Sequence, residues 1–493
     1  MMASKTKLSS LRILFATSEI APWVKTGGLG DVASALPPAL AQAGCDVKVL
    51  TPAYPAIRSA FPKAMPWLEV PVLAPQLPSA RLLRAGELAK GAELILLDCP
   101  AMYERHGNPY ADSHGHAWSD NSLRFGLLSR VAHWLSGPGQ IPDWQPDILH
   151  CNDWHTALAP AFRALLGGGA PTVITVHNLA FTGLFAYDAL HALGLPAHSF
   201  RYDGVEFHGQ LSFLKSGLQF ADQITTVSPT YAQEIQTPEF GCGLEGLLHF
   251  RANALTGILN GIDETVWDPS LDTHVPLPYS VDALEGKASN KAALQKRLGF
   301  EINPDVPLLG MVSRLTHQKG SDLILETADR LIAEGCQLAI LGTGERRLEK
   351  AFSDLTHRHA HKCMVLIGYD EALAHQIEAG ADIFLMPSLF EPCGLNQMYS
   401  LRYGTPPVVR RTGGLADTVV NLSPDTLADG SANGFVFDAP DAASLLDAVQ
   451  RAVAAYRNPT IWRQLQRHGM ETHFGWNNAA ERYISVYQRA LKN

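Results

Sequence analysis

The stretch FEPCGLNQMYSLRYGTPPVV, residues 390–409, sets a carboxylate before a proline, a Cys-Gly turn and a helical pattern. A carboxylate at Glu391 can bind sugar hydroxyls or a developing positive charge. The backbone N–H groups of Cys393, Gly394, Leu395 and Asn396 would stand where that helix starts. Unpaired donors and the helix dipole favour phosphate or hydroxyl oxygens there. Cys393 itself reads as a small packing residue, because its neighbours supply no base to ionise a thiol.

SRLTHQKG, residues 313–320, carries Arg314 and Lys319 in a loop that ends on a glycine. Two such cations can clamp a diphosphate and neutralise its charge as it leaves; the rival reading is a solvated basic loop. KTGGLGDV, residues 25–32, combines the point charge of Lys25 with Gly27, Gly28 and Asp31. The glycines are expected to take backbone conformations that a side chain forbids. Their N–H groups, opening a helix, would face an anion. Neither a GxGxxG fingerprint nor a P-loop is present, and a plain strand-to-helix turn is the rival. RTGGLADTV, residues 411–419, nearly repeats this stretch. The topological partner of KTGGL is nevertheless expected to be SRLTHQKG, since each follows the first strand of its series.

Asp153 and His155 in NDWH, and His177 in the following HN, each fall at the end of an apolar run. They suit hydrogen bonding to a polyhydroxylated ligand, or orienting one another; structural histidines are the alternative. YERHGNPYADSHGHAWSDN holds three histidines. Their spacing resembles a metal site only loosely, a Gly/Asn/Asp-rich loop fits better, and no metal is expected.

The elements that must position these residues are short apolar strands alternating with helices. LRILFAT, VKVLTP, LILLDCP, DILHCND, TVITVHN and QITTVSP read as buried strands. Such alternation means a parallel sheet covered on both faces. The pattern pauses in the Pro- and Asp-rich NGIDETVWDPSLDTHVPLPYSVDALEG, then restarts with LLGMVSRL, QLAILGTG, CMVLIGY, DIFLMPS and TPPVVRR. Two α/β domains are therefore expected, over residues 1–265 and 266–475, with the boundary within 262–275. An amphipathic helix from 476 to 493 ends the chain. Doubly wound sheets bind ligands at their C-terminal strand ends, where the polar residues above fall.

At 493 residues with 46% hydrophobic and 18% charged side chains, the chain suits a globular enzyme. A net charge of −9 argues against nucleic acid or an anionic membrane as the main partner, because both need a basic face. The seven cysteines are scattered and none forms a CxxC pair, which suggests reduced thiols in a cytoplasmic protein. LRILFA is short for a signal sequence and runs into Thr-Ser-Glu, so a first strand is the better reading. No apolar run approaches membrane-spanning length.

In this order the motifs resemble those of the bacterial glycogen synthase and plant starch synthase family. KTGGLGDV, YERHGNPYADSHGHAWSDN, NDWHT, TVHNLAFTG, LNGID, SRLTHQKG and FEPCGLNQMYSLRYGTPPVVRRTGGLADTV run in family order from residue 12 to about 490. The resemblance implies two Rossmann-like domains of the GT-B type facing across a deep cleft, with the last helix crossing back to the first domain. It implies retaining transfer of glucose from ADP-glucose to the non-reducing end of an α-1,4-glucan, with no metal or other cofactor.

Carried over by position, Lys25 beside Gly27, Gly28 and Asp31 would bind the sugar nucleotide. His177 would lie near the glucose 6-hydroxyl and anomeric centre, Asp153 near both sugars, and Asn260 in the same wall. Arg314 and Lys319 would be the diphosphate cations, and Glu391 the acid at the 3- and 4-hydroxyls. Cys393, Gly394, Leu395 and Asn396 would offer backbone amides, and Tyr369 would stack on adenine. Two small departures, Gly30 where many relatives have Ala and Asn396 where Thr is common, remove no polar group. The alternatives are a related transferase using UDP-glucose, a catalytically silent glucan-binding paralogue, and a pyridoxal-phosphate phosphorylase. No stretch resembles the cofactor-lysine region of the last.

Overall fold

A computed structural model describes residues 10–492. The chain forms two compact units. One comprises residues up to Gly261 together with Trp476 onward, and the other Ile262–Gly475.

In the first unit the strands are β1 (Arg12–Ala16), β2 (Asp46–Pro52), β3 (Met65–Val70), β4 (Ala80–Ala89), β5 (Ala92–Asp98), β6 (Ile148–Asn152) and β7 (Thr172–Val176). A small antiparallel sheet follows, of β8 (Leu184–Phe185), β9 (Glu206–Phe207) and β10 (Gln210–Ser212). Then come β11 (Gln223–Thr226) and β12 (Leu255–Gly257). The main sheet runs β12-β11-β7-β6-β1-β2-β5-β4-β3. From β12 to β5 all pairs are parallel. Every residue of β6 and β7 is buried, the signature of a sheet covered on both faces. The β3–β4–β5 edge is antiparallel, a departure from the parallel sheet that the apolar runs suggest. β4 is partly exposed, and its register shifts near Gly86. Its arginines and glutamate break the apolar run that would have announced it.

The helix Trp476–Ala490 belongs to this unit, and its buried residues Trp476, Ala479, Ala480, Tyr483, Val486, Tyr487 and Ala490 form one stripe at helical spacing. Tyr487 hydroxyl lies 2.8 Å from Nδ1 of the buried His150, whose Nε2 meets Thr175 Oγ1 at 2.7 Å. Burial lowers the His150 imidazole to about 3.

The second unit has one parallel sheet: β13 (Leu308–Val312), β14 (Gln337–Gly342), β15 (Cys363–Ile367), β16 (Ile383–Met386), β17 (Pro407–Arg410) and β18 (Phe435–Phe437). Its order is β15-β14-β13-β16-β17-β18, so the topology reverses between β13 and β16. In the first unit the corresponding reversal lies between β1 and β6. Ligands bind such sheets outside the carboxyl ends of the strands at that reversal.

Seven free cysteines occur among the described residues, all buried except Cys242. No described helix is long and apolar enough to cross a membrane.

Candidate active site

In each unit the candidate residues follow the carboxyl ends of strands: Lys25, Asp153 and His177 after β1, β6 and β7, Arg314 and Glu391 after β13 and β16, and, at the sheet edges, Asn260 after β12 and Tyr369 after β15. In the first unit, Asp153 follows β6 in a left-handed conformation, φ 54°, which a non-glycine residue adopts at a cost. Its Oδ1 accepts the His177 N–H at 2.8 Å, joining the ends of β6 and β7. Burial raises the Asp153 carboxyl to about 7, against the lowering effect of the His177 and Asn178 amides. His177 is buried, and burial lowers its imidazole to about 3. Asn152 Nδ2 donates to the Ala16 carbonyl at 3.0 Å, so its Oδ1 is the acceptor that faces His177 Nε2 at 3.0 Å. His177 is therefore neutral, with the proton on Nε2 and an accepting lone pair on Nδ1.

His155 fits the alternative of a structural histidine. Neither ring nitrogen finds a hydrogen-bond partner among the described residues. The ring stacks on Tyr110, 4.5 Å between centroids and 20° between planes, and packs against Trp154 and Phe125. Burial holds it well below the ordinary histidine value, so it acts as an aromatic packing residue. Asn260, also buried, has an Oδ1 without a hydrogen-bond partner among the described residues.

The KTGGL loop joins β1 to the helix Gly28–Gln42. Half-exposed Lys25 reaches Asp31 in the first helical turn at 2.7 Å. Burial raises the Asp31 carboxyl, opposed by Lys25. The glycines need no special backbone conformation: Gly27 has φ −162°, which any residue adopts. A Cβ on either Gly27 or Gly28 would meet nothing within 4 Å. What they supply is open space at the helix start. That corrects the conformational reason given above for their presence.

The second TGGL does the opposite. Gly413 has φ 42°, and a Cβ there would sit 1.9 Å from the Glu391 carbonyl oxygen. A Cβ on Gly414 would sit 2.1 Å from the Cys393 carbonyl oxygen. Gly414 N–H donates to the Glu391 and Pro392 carbonyls, both at 3.2 Å. RTGGL is thus the backbone support of the Glu391 loop. Arg411 points elsewhere and pairs with exposed Asp438 at 2.6 Å.

Glu391 follows β16. Lys319 Nζ lies 2.5 Å from its Oε2, and Ser388 Oγ donates to the same oxygen at 2.9 Å. Lys319 is held by a short 3₁₀ turn, His317–Lys319, after β13. Gly320 closes that turn at φ 71°, where a Cβ would strike the Pro387 carbonyl oxygen. Arg314, in the same loop, is exposed, and no carboxylate among the described residues pairs with it. Asn396 Nδ2 donates to the Val312 carbonyl at 2.5 Å, fixing the start of the helix Asn396–Arg402 against β13. Gly394 turns at φ 72° beside the Gln397 side chain, while Leu395 and Asn396 begin the helix. Tyr369, beyond β15, is 81% exposed.

Among the described residues no three His, Cys, Asp or Glu side chains are grouped closely enough to hold a metal ion. In the histidine-rich loop Asp112 accepts the backbone amides of His114 and His116, an Asx turn. Sequence reasoning missed Asn152 and Ser388, which hydrogen-bond His177 and Glu391, and Glu19, which accepts from Thr26 beside Lys25. Glu19 had left one signal: a carboxylate at the end of the apolar run LRILFATSEIAP.

The model of the starch synthase catalytic domain matches residues 12–250, and that of the group 1 glycosyl transferases matches residues 295–467. Glycogen synthase of Dechloromonas aromatica is 56% identical over 98% of this chain and 99% of its own. The chain belongs to the glycogen synthase and starch synthase family. Within that family, glycogen synthase of Aromatoleum aromaticum is 53% identical over 99% of this chain and 98% of its own. The catalytic domain of starch synthase IV from Arabidopsis thaliana, solved bound to ADP and acarbose, matches with a TM-score of 0.86 and 31% identity. It covers 98% of this chain and 100% of the solved one. Sucrose-phosphate synthase from Thermosynechococcus elongatus shares the fold at a TM-score of 0.60 and 17% identity, covering 98% of this chain and 99% of its own. This member of the family is accordingly a glycosyltransferase of the GT-B fold class.

Proposed function

We propose that the protein transfers glucose from ADP-glucose to the non-reducing end of an α-1,4-glucan, with retention of anomeric configuration, in cytoplasmic glycogen synthesis. The observation that carries this reading is the cationic loop after β13. Exposed Arg314, with which no carboxylate among the described residues pairs, shares this loop with Lys319, which is already fixed by Glu391. That arrangement suits a departing nucleoside diphosphate, whose growing negative charge meets preorganised cations. The ADP bound by starch synthase IV supports the adenine nucleotide. In this reading no metal or other cofactor takes part, and Tyr369 stacks on the base.

Glu391 receives the 3- and 4-hydroxyls of the donor sugar, with the amides of Cys393, Gly394, Leu395 and Asn396 at the neighbouring oxygens. His177 Nδ1 accepts from the 6-hydroxyl. Asp153 lies with the sugars, and Asn260 turns its Oδ1, which has no hydrogen-bond partner among the described residues, to a hydroxyl of the same ligand. Lys25, with the open space at Gly27 and Gly28, binds the donor. The bond from the anomeric carbon to phosphate breaks as the bond to the acceptor 4-oxygen forms on the same face. The acceptor proton passes to the departing phosphate oxygen. Trapping a covalent glucosyl-enzyme would overturn this front-face course.

The deciding test is incorporation of labelled glucose into glycogen, with ADP-glucose and UDP-glucose competing and with chelator present. Transfer from ADP-glucose, undiminished by chelator and many-fold preferred, is expected. Equal use of UDP-glucose would overturn the donor assignment, and no transfer from either would favour a silent glucan-binding protein.

A further inference from the structure

Glu19 follows β1 and is buried. Its carboxylate gathers three donors from two loops. Thr26 N–H donates to Oε2 at 2.7 Å, and Thr26 Oγ1 to Oε1 at 2.6 Å. Tyr110 hydroxyl donates to the same Oε1 in a very short hydrogen bond. Ser18 Oγ, 3.0 Å from the Tyr110 oxygen, completes that hydroxyl's partners. Burial and Glu19 itself raise the Tyr110 phenol well above its ordinary value, so it stays protonated and donates.

Thr26 is the residue between Lys25 and Gly27. The base of its loop is closed by reciprocal backbone bonds between Ile20 and Val24, both 2.9 Å. Beyond that base, Gly27 and Gly28 have no side chains to pack. In the Lys25–Asp31 pair the lysine is half-exposed, and an ion pair open to solvent on one side fixes little. Ala21 N–H holds the Gly30 carbonyl at 3.0 Å behind the glycines, and Thr26 on Glu19 is the side-chain anchor in front of them. The same carboxylate reaches the second cluster: Tyr110 stacks on His155, two residues beyond Asp153.

We infer that Glu19 is a positioning residue for the sugar-nucleotide site: it holds Thr26, and with it Lys25, Gly27 and Gly28, in the donor-binding position, and through Tyr110 it steadies the Asp153 turn. The inference rests on the donor role of Lys25 proposed above. A buried carboxylate that accepts from two hydroxyls and an amide is costly to replace, because charge-assisted bonds are the stronger kind and the Tyr110 hydroxyl loses its acceptor.

The test joins peptide-resolved amide hydrogen exchange with steady-state kinetics on the full chain, for Glu19→Ala, Glu19→Gln and Thr26→Val. In Glu19→Ala, exchange across residues 24–29 should quicken about ten-fold or more while β6 and β7 stay protected. The KM for ADP-glucose should rise about ten- to a hundred-fold, with a smaller rise in the glucan KM through the Asp153 turn. Thr26→Val should show a smaller loss of the same kind. Glu19→Gln, whose oxygen can still accept the Thr26 amide, should recover part of the protection. The double variant Glu19→Ala/Thr26→Val should be no worse than Glu19→Ala. If Glu19→Ala fails to fold, Thr26→Val and Glu19→Gln still report. Unchanged exchange over residues 24–29, or losses that multiply in the double variant, would overturn the inference. Exchange does not depend on turnover, so failure of the donor reading would appear separately, as absent transfer by the unmodified protein.

Discussion

Lys319 Nζ lies 2.5 Å from Glu391 Oε2, with Ser388 Oγ on the same oxygen, whereas Arg314 in the same loop meets no carboxylate among the described residues. One loop thus carries two cations of different character. One is built into the fold and the other is available to an anion.

That difference separates two variants. Arg314→Ala should lower kcat by about a hundred- to a thousand-fold, the usual effect of losing one preorganised charge-stabilising group, with the melting temperature unchanged. Lys319→Ala should lose activity and also stability, about 3–5 kcal/mol, because it strands a buried carboxylate. Calorimetry and a labelled-glucose assay on the same preparations read both. A melting temperature lowered equally by the two substitutions would contradict the distinction.

The two glycine pairs should respond in opposite ways to a single methyl group. Gly28→Ala adds a Cβ into open space at a helical position, so the fold should be as stable as before or gain up to about 1 kcal/mol. Its KM for ADP-glucose should nevertheless rise. Gly414→Ala forces a Cβ against the Cys393 carbonyl and should destabilise the second unit and displace Glu391. Thermal unfolding beside donor titration distinguishes them; an unaltered donor KM in Gly28→Ala would remove the site role of that open space.

Tyr369→Ala removes an 81% exposed ring, so stability should change by less than about 1 kcal/mol. If the ring stacks on adenine, the loss of about 1–3 kcal/mol belongs in nucleotide binding, raising KM with kcat nearly intact. Calorimetric titration with ADP is the direct measurement, and an unchanged affinity would free Tyr369 from that role.

The buried titratable groups give opposite pH slopes. His150 and His177 both stand at about 3 in the fold against an ordinary 6.5, so between those values the unfolded chain binds the protons. Their contribution is present above about pH 6.5 and is lost as pH falls toward 3. Asp153 stands at about 7 against an ordinary 3.8, so the folded chain holds its proton over that range. Its contribution is present below about pH 4 and is lost as pH rises through 7. Asp153→Asn keeps an acceptor at a φ that asparagine tolerates, and should make stability climb more steeply from pH 4 to 7. His150→Gln should flatten the acid side. Urea unfolding across pH 3 to 8 measures both; a pH profile of Asp153→Asn superimposable on the parent's would rule out the raised carboxyl.

Most parallel strands were legible because burial makes them continuous apolar runs, as in TVITV for β7 and QLAIL within β14, whereas the three-residue β12 and β18 are too short to show one. β3 and β4 were not, because their charged residues face solvent on an antiparallel edge and break that pattern. The residue types suited to chemistry stood out where strands end, since a polar residue directly after an apolar run is conspicuous. His155 stood out for the same reason and turned out to stack with aromatic rings, because the sequence shows the side chain but not its neighbours.

By itself the sequence determined the two series of alternating strands and helices, the family, and the positions where polar groups emerge from the sheets. Only the tertiary structure decided what each of those groups does. Two TGGL stretches of nearly equal sequence differ because one opens onto empty space and the other lies against the Glu391 backbone. Likewise Lys319 and Arg314 differ because one reaches a carboxylate from another strand. Both distinctions depend on contacts between segments far apart in the chain, and local sequence carries no term for them.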